Sequence, residues 1–98
     1  MNDKRFWIYI VADKLYGTLY LGVTSDLARR AYEHREGLYA GFTQKYGLKQ
    51  LVYYEEHSSA EAAIEREKKL KKWKRNWKIQ LIAKLNPTWR DLYLDLNA

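Results

Sequence analysis

The sequence predicts a small α/β domain in which two strands form a hairpin, a third strand follows later, and helices lie between and after them. Two β-branched and aromatic runs, Phe6 to Val11 and Thr18 to Val23, flank a short segment with Asp13 and Gly17. Such runs read as strands, and a connection of this chemistry reads as a turn. The run Leu51-Val52-Tyr53-Tyr54-Glu55 has the same character. Capping residues precede two stretches of helical apolar spacing, at Thr24-Ser25-Asp26 and at Ser58. With 98 residues, 47% of them hydrophobic, one core is affordable and a second is not. A single domain over residues 1–98 is therefore expected.

The polar lead-in, Met1 to Arg5, runs straight into the first strand. Side chains alternate along a strand, so Trp7, Tyr9 and Val11 share one face, and Thr18, Tyr20 and Gly22 share a face of the partner. Two tyrosines and a glycine thus stand side by side. The next segment predicts a helix capped by Thr24 or Ser25, with Asp26 in its first turn, running to about Glu36 and stopping at Gly37. Leu27, Ala28, Ala31 and Tyr32 give it an apolar side. Arg30 and His34 are one helical turn apart beside Leu27 and Ala31, whereas Arg29, Glu33 and Glu36 point toward solvent. Spacing leaves two roles open for the pair: a snorkelling arginine with a hydrogen-bonded core histidine, or part of a site. Leu38 to Lys49, with Gly41 and Gly47, reads as a loop in which Lys45 is a candidate phosphate or base contact.

Ser58 and Glu61 have capping-box spacing and open the next helix, whose inward stripe is Ala60, Ala63, Ile64, Leu70 and Trp73. Glu67 falls on that stripe and Glu65 does not. A carboxylate on an apolar face needs a partner, a hydrogen-bond network or a metal; an ion pair to a residue such as Arg30 is one solution. The basic run continues toward Trp77, Ile79, Leu81, Ile82 and Leu85, which suggests a further helix or a bend near Asn76, and Asn86-Pro87 ends it. The aromatic tail from Trp89 to Leu94 is expected to pack back on the domain.

The net charge of +6 is concentrated. Between Glu65 and Lys78 stand Arg66, Lys68, Lys69, Lys71, Lys72, Lys74, Arg75 and Lys78 against Glu65 and Glu67, which leaves the remainder near neutral. Such a block suits a polyanion, most often nucleic acid; a merely solvated basic face is the alternative. Without cysteine, disulfides and thiolate metal sites are excluded, and two histidines make a structural zinc site improbable. There is no Gly-rich phosphate loop, His-Glu-x-x-His pair, Asp-rich calcium loop or nucleophile elbow. No run approaches a membrane span, so a soluble, cytoplasmic protein is the expectation.

Trp7-Ile8-Tyr9 and Tyr20-Leu21-Gly22, set as a hairpin and followed by Arg30 and His34, resemble the GIY-YIG nuclease superfamily. Arg66-Glu67-Lys68-Lys69-Leu70-Lys71 is similar to that family's glutamate-bearing helix. Gly41-Phe42-Thr43 with Lys45-Tyr46, the third strand, and Asn86-Pro87-Thr88-Trp89 resemble its small stand-alone bacterial branch. The resemblance implies an α/β sandwich, a three-stranded antiparallel sheet flanked by helices, and metal-dependent hydrolysis of DNA phosphodiesters. It implies that Glu67 is the protein ligand of a Mg²⁺ or Mn²⁺ ion, which tolerates a shell made mostly of water. Tyr9, with Tyr20 beside it, would orient or deprotonate the attacking water; Arg30 would hold the scissile phosphate; His34 would support proton transfer or contact phosphate.

Lys45, Lys68, Lys71, Lys72, Lys74 and Arg75 are the expected nucleic-acid contacts, on DNA for which branched and single-stranded forms are both open. Trp7, Leu21 and Val23 depart from the family pattern, and Val23 stands where some members carry a lysine. Three functions follow: an endonuclease, a nucleic-acid-binding module of the same fold with little or no turnover, or an interaction domain that dimerises through its aromatic tail. Monomer and homodimer are both open.

Overall fold

The computed structural model describes residues 5–97; the expected polar lead-in, Met1 to Lys4, lies outside the described residues. The three runs form strands β1 (Phe6–Ala12), β2 (Leu19–Thr24) and β3 (Gln50–His57). They make one antiparallel sheet in the order β2-β1-β3. β1 is central and packed on both faces, which is why Ile8 to Ala12 are all buried rather than alternating with polar residues. Between Ile10 and Val11 the β1–β3 register shifts: Tyr53 opposes Ile10 and Leu51 opposes Val11. The extra residue, Val52, is a bulge that turns Val52 and Tyr53 to the same side of the sheet.

Helices cover both faces. On one face Ile8, Ile10, Leu21, Val52 and Tyr53 meet Ala63, Leu70, Ile82 and Trp89. These come from α3 (Ala60–Lys71), α4 (Arg75–Leu85) and the segment after it. On the opposite face Tyr9, Val11 and Leu51 meet Leu27 and Ala31 of α1 (Leu27–Arg35), with Leu48 and Leu92. The arrangement is the expected α/β sandwich.

Local chemistry departs from expectation in several places. Asp26, not Thr24 or Ser25, caps α1: its carboxylate accepts from the Arg29 N–H at 3.1 Å. Thr24 Oγ1 instead accepts from the Asp26 N–H at 3.0 Å, ordering the approach to the cap. Ala28 and Tyr32 are exposed, and it is His34 that joins Leu27 and Ala31 on the packed side. Glu33, expected in solvent, is half-buried and paired to arginines. At the end of α1, Gly37 adopts φ +70° and the Gly37 and Leu38 N–H groups bond back to His34 and Glu33 carbonyls at 3.1 and 2.7 Å. That doubly bonded turn needs the left-handed conformation glycine supplies.

The supposed loop after Leu38 contains a one-turn helix, α2 (Phe42–Tyr46), bracketed by Gly41 and Gly47. Ser59 rather than Ser58 caps α3, accepting from the Ala62 N–H at 3.1 Å. Ile64 is 44% exposed, because the stripe that packs is Ala63, Glu67, Leu70 and it lies one residue off that line. Of the two alternatives for the next stretch the further helix is the one formed: α4 begins at Arg75, inside the helix Asn76 makes no bend, and the break lies at Lys72–Lys74, where Lys74 is extended.

The tail does pack back. Asn86 is buried and its amide donates to the Val52 carbonyl at 3.2 Å and the Arg90 carbonyl at 2.7 Å. Asp91 accepts from the Leu51 and Tyr93 N–H groups, both at 3.1 Å, and from Arg35 at 3.0 Å. Asn86 and Asp91 thus fasten the chain's final segment to β3 and α1. No helix among the described residues is long and apolar enough to cross a membrane.

Candidate active site

Tyr9 lies at the middle of the central strand with Gly22 directly opposite in β2 and Tyr54 opposite in β3. The missing side chain at Gly22 makes the site possible, since a Cβ there would fall 2.5 Å from both Cζ and Oη of Tyr9. The phenol therefore lies across Gly22 and reaches α1. Its oxygen is 3.0 Å from His34 Nε2 and accepts from Arg30 Nη1 at 3.4 Å. Arg30 also donates to Tyr39 Oη at 3.2 Å and to Glu33 at 3.3 Å, and its guanidinium lies 4.3 Å from the centre of the Tyr39 ring. The other nitrogen of His34, Nδ1, is 3.0 Å from Thr43 Oγ1, and both residues are buried.

Burial, with the Arg30 charge beside it, lowers the His34 imidazole to about 4. At neutral pH the ring is uncharged, with one donor and one acceptor nitrogen. Burial raises the Tyr9 hydroxyl well above the usual phenol range, and the Arg30 hydrogen bond and charge only partly offset this. A protonated Tyr9 is a donor and His34 Nε2 its acceptor, which leaves the Nδ1 proton for Thr43. The cluster is a chain of hydrogen bonds, Tyr9 to His34 to Thr43, with a fixed cation against its outer end.

Tyr20 stands alongside, its ring centre 6.5 Å from that of Tyr9 and 6.1 Å from that of His34, and Phe42 stacks on it at 6.3 Å. Burial raises its hydroxyl, the Tyr39 hydroxyl adds to this, and Lys71 and Arg30 act against it; Glu67 adds a smaller upward push. Tyr20 is thus the link between the cluster and α3. Glu67 occupies the stripe between Ala63 and Leu70 with about 20% of its side chain exposed, 3.3 Å from Lys71 Nζ. It does not pair with Arg30, whose carboxylate partner is Glu33.

Tyr9, Arg30 and His34 are in contact and Tyr20 borders them, whereas Glu67 is hydrogen-bonded to none of them and pairs with Lys71. Among the described residues no three histidine, aspartate or glutamate side chains converge as a metal cage. A lone carboxylate with its outer side in water suits Mg²⁺ or Mn²⁺, which bind through few protein oxygens and keep their waters; it does not suit zinc.

The basic side chains divide. Lys68, Lys72 and Lys74 are exposed, as is Lys45 on α2, 5.4 Å from the Tyr46 ring centre. Lys71 is paired with Glu67. Arg66 is bound to Glu55 at 2.8 Å, and Arg75 donates to the Tyr16 and Gly17 carbonyls of the β1–β2 turn, both at 2.6 Å. A cavity of about 600 Å³ lies at that turn, lined by Lys14, Tyr16, Arg75 and Lys78 among others; neither Tyr9 nor Tyr20 lines it. Beside Arg30 there is a smaller polar recess of about 110 Å³. Thr43, Tyr39 and Glu33 are the members of the cluster that sequence reasoning missed; Thr43 and Tyr39 lie in the stretch taken for loop.

Residues 5–80 match the GIY-YIG catalytic domain. The chain is 37% identical to the UPF0213 protein SSP2268 of Staphylococcus saprophyticus over 83% of its length and 96% of that relative. It is 39% identical to the UPF0213 protein HQ_3675A of Haloquadratum walsbyi, over 83% of this chain and 89% of the other. Among solved structures it is similar to the solution NMR structure of the UPF0213 protein BH0048 from Bacillus halodurans, with a TM-score of 0.52 and 30% identity, covering 84% of this chain and 86% of that one.

Proposed function

Since this chain belongs to the GIY-YIG nuclease family, we propose that it is a metal-dependent endonuclease that hydrolyses DNA phosphodiester bonds. The observation that carries the proposal is the Tyr9 phenol held between Arg30 and His34. Tyr9 orients the attacking water with its oxygen and takes the water's proton there as its own proton moves to His34 Nε2. Because burial opposes a free Tyr9 phenolate, this transfer accompanies attack rather than precedes it. Arg30 faces two tasks, since its guanidinium also meets the non-bridging oxygens of the scissile phosphate, where charge grows in the transition state. Thr43 Oγ1 accepts the Nδ1 proton when His34 Nε2 accepts from Tyr9, and so supports that tautomer. Glu67 is the residue that would hold a Mg²⁺ or Mn²⁺ ion, which when bound stabilises charge on the phosphate and the leaving 3′ oxygen. Lys45, Lys68, Lys72 and Lys74 supply backbone contacts without reading sequence.

A binding module without turnover is the second reading. Val23, where some members of the family carry a lysine, favours it: among the described residues Arg30 is the cation hydrogen-bonded to Tyr9. Cleavage of plasmid, branched and single-stranded DNA with Mg²⁺ or Mn²⁺ separates the two. The endonuclease loses at least about 100-fold in Glu67→Ala and in Arg30→Ala. Nicking that persists equally in both variants defeats the proposal.

A further inference from the structure

α4 packs on the Ile8 face of the sheet, opposite the Tyr9 cluster. Its outer surface is nonetheless aromatic and apolar: Trp77 is 50% exposed and Leu85 is also open to water. Trp73, in the link before α4, sets its ring edge-on to Trp77 with centres 5.9 Å apart and planes at 85°. Trp73, Trp77, Gln80, Leu81 and Lys84 enclose a groove of about 300 Å³ that the described residues leave uncovered. Its surroundings are cationic. Lys74 Nζ lies 6.0 Å from the Trp77 ring centre and Lys84 lines the groove, while the Arg66 guanidinium, paired with Glu55, lies 5.3 Å from the Trp73 ring centre.

An apolar groove ringed by positive charge is a poor seat for a second copy of the same chain, which would bring the same lysines face to face. It matches an anion that carries flat apolar rings. We propose that the Trp73–Trp77 groove is a secondary binding site that stacks an unpaired nucleobase, with Lys74 and Lys84 on the flanking phosphates. Every base has a π-face, so such a site holds a strand without reading it, and bases already paired in a duplex cannot enter. A substrate engaged by both sites has an unpaired segment that passes from the Tyr9 face around the sheet to α4. The proposal rests on the view that this protein's polyanion is nucleic acid.

The test measures binding of a single-stranded oligothymidylate and a blunt duplex of equal length, by anisotropy and by quenching of tryptophan emission. Wild type is compared with Trp77→Ala, Trp77→Leu and Trp77→Phe, and sedimentation follows self-association. Half-exposed Trp77 is replaceable without loss of fold, which far-ultraviolet circular dichroism checks. The expected result is a loss of single-strand affinity of about 5- to 150-fold in both Ala and Leu variants, substantial recovery in Phe, and duplex affinity changed by less than about 2-fold.

Unchanged single-strand binding in Trp77→Ala, or full binding in Trp77→Leu, overturns the proposal. So does a concentration-dependent dimer that only the Trp77 variants abolish, which would make the groove a contact between copies. Failure of the nuclease assignment looks different: Trp77-dependent binding persists while cleavage is absent or insensitive to Glu67→Ala.

Discussion

Gly22→Ala puts the packing of the site to the test. The new Cβ would fall 2.5 Å from Cζ and Oη of Tyr9 and 2.7 Å from Cε1. Ordinary contacts begin near 3.4 Å, so the ring must retreat by roughly 0.9 Å, the difference between 3.4 and 2.5. Tyr9 has little room, being 1% exposed with its oxygen 3.0 Å from His34 Nε2. A retreat of that size is enough to take the hydrogen bond out of range.

Overpacking of this kind costs about 1–3 kcal/mol, which lowers Tm by roughly 5–20 °C for a chain of this length. Propensity works in the other direction, since alanine is preferred to glycine inside a strand. The decisive assay is a double-mutant cycle by urea denaturation. In a Tyr9→Leu background the clashing atoms are gone, and Gly22→Ala should then cost less than about 0.5 kcal/mol. Equal costs in the two backgrounds would refute the claim that Gly22 exists to seat the Tyr9 ring.

Three further outcomes follow from the same geometry. His34 is held near 4 when folded, against 6.5 when unfolded, so the unfolded chain takes up the proton first as pH falls. The stability that the neutral ring contributes is complete above about pH 6.5 and is lost toward pH 4, by about 2–3 kcal/mol. His34→Gln should flatten that part of the urea-denaturation profile, and an unaltered slope would contradict it. Asn86→Ala should cost about 1–3 kcal/mol by thermal unfolding, and Asn86→Asp more, because a carboxylate would face two carbonyls; a neutral Asn86→Asp would remove Asn86 from its clamping role. Replacing Lys68, Lys72 and Lys74 together by glutamine should make the log–log dependence of duplex binding on salt shallower by about 3. An unchanged slope would take these three lysines out of the interface.

The sheet was legible because its strands are built from β-branched and aromatic runs too short for helices and bounded by turn residues. Burial on both sides of β1 is also visible, as an apolar run without alternation. What could not be read is chemistry decided by single residues among equals. Thr24, Ser25 and Asp26 can all cap, as can Ser58 and Ser59, and only the path of the incoming chain selects Asp26 and Ser59. α2 was hidden because five residues between two glycines carry no period, and with it went Thr43 and Tyr39. Arg30 and His34 stood out by their spacing beside Leu27 and Ala31; the i,i+3 spacing of Arg30 and Glu33 also permits their ion pair, but the wheel that turns Glu33 toward solvent hides it. The basic run looked uniform; its members differ because Arg66 meets Glu55, Lys71 meets Glu67 and Arg75 meets a turn.

The strand order has a consequence for how the protein is made. β1 precedes both partners in the chain yet lies between them. Its pairing with β2 is local and closes early, but the edge destined for β3 stays bare until residues 50–57 have left the ribosome. During that interval a hydrophobic hairpin offers an unpaired backbone edge to any neighbouring chain, the usual opening for strand-swapped dimers and aggregates. The ion pair between Arg5 and Glu56 lies at the far end of that late seam, and the β3 bulge and the Asp91 carboxylate lie at the other. These features allow one register and disfavour its slips, so the last-formed half of the sheet carries most of the devices that specify how it must close.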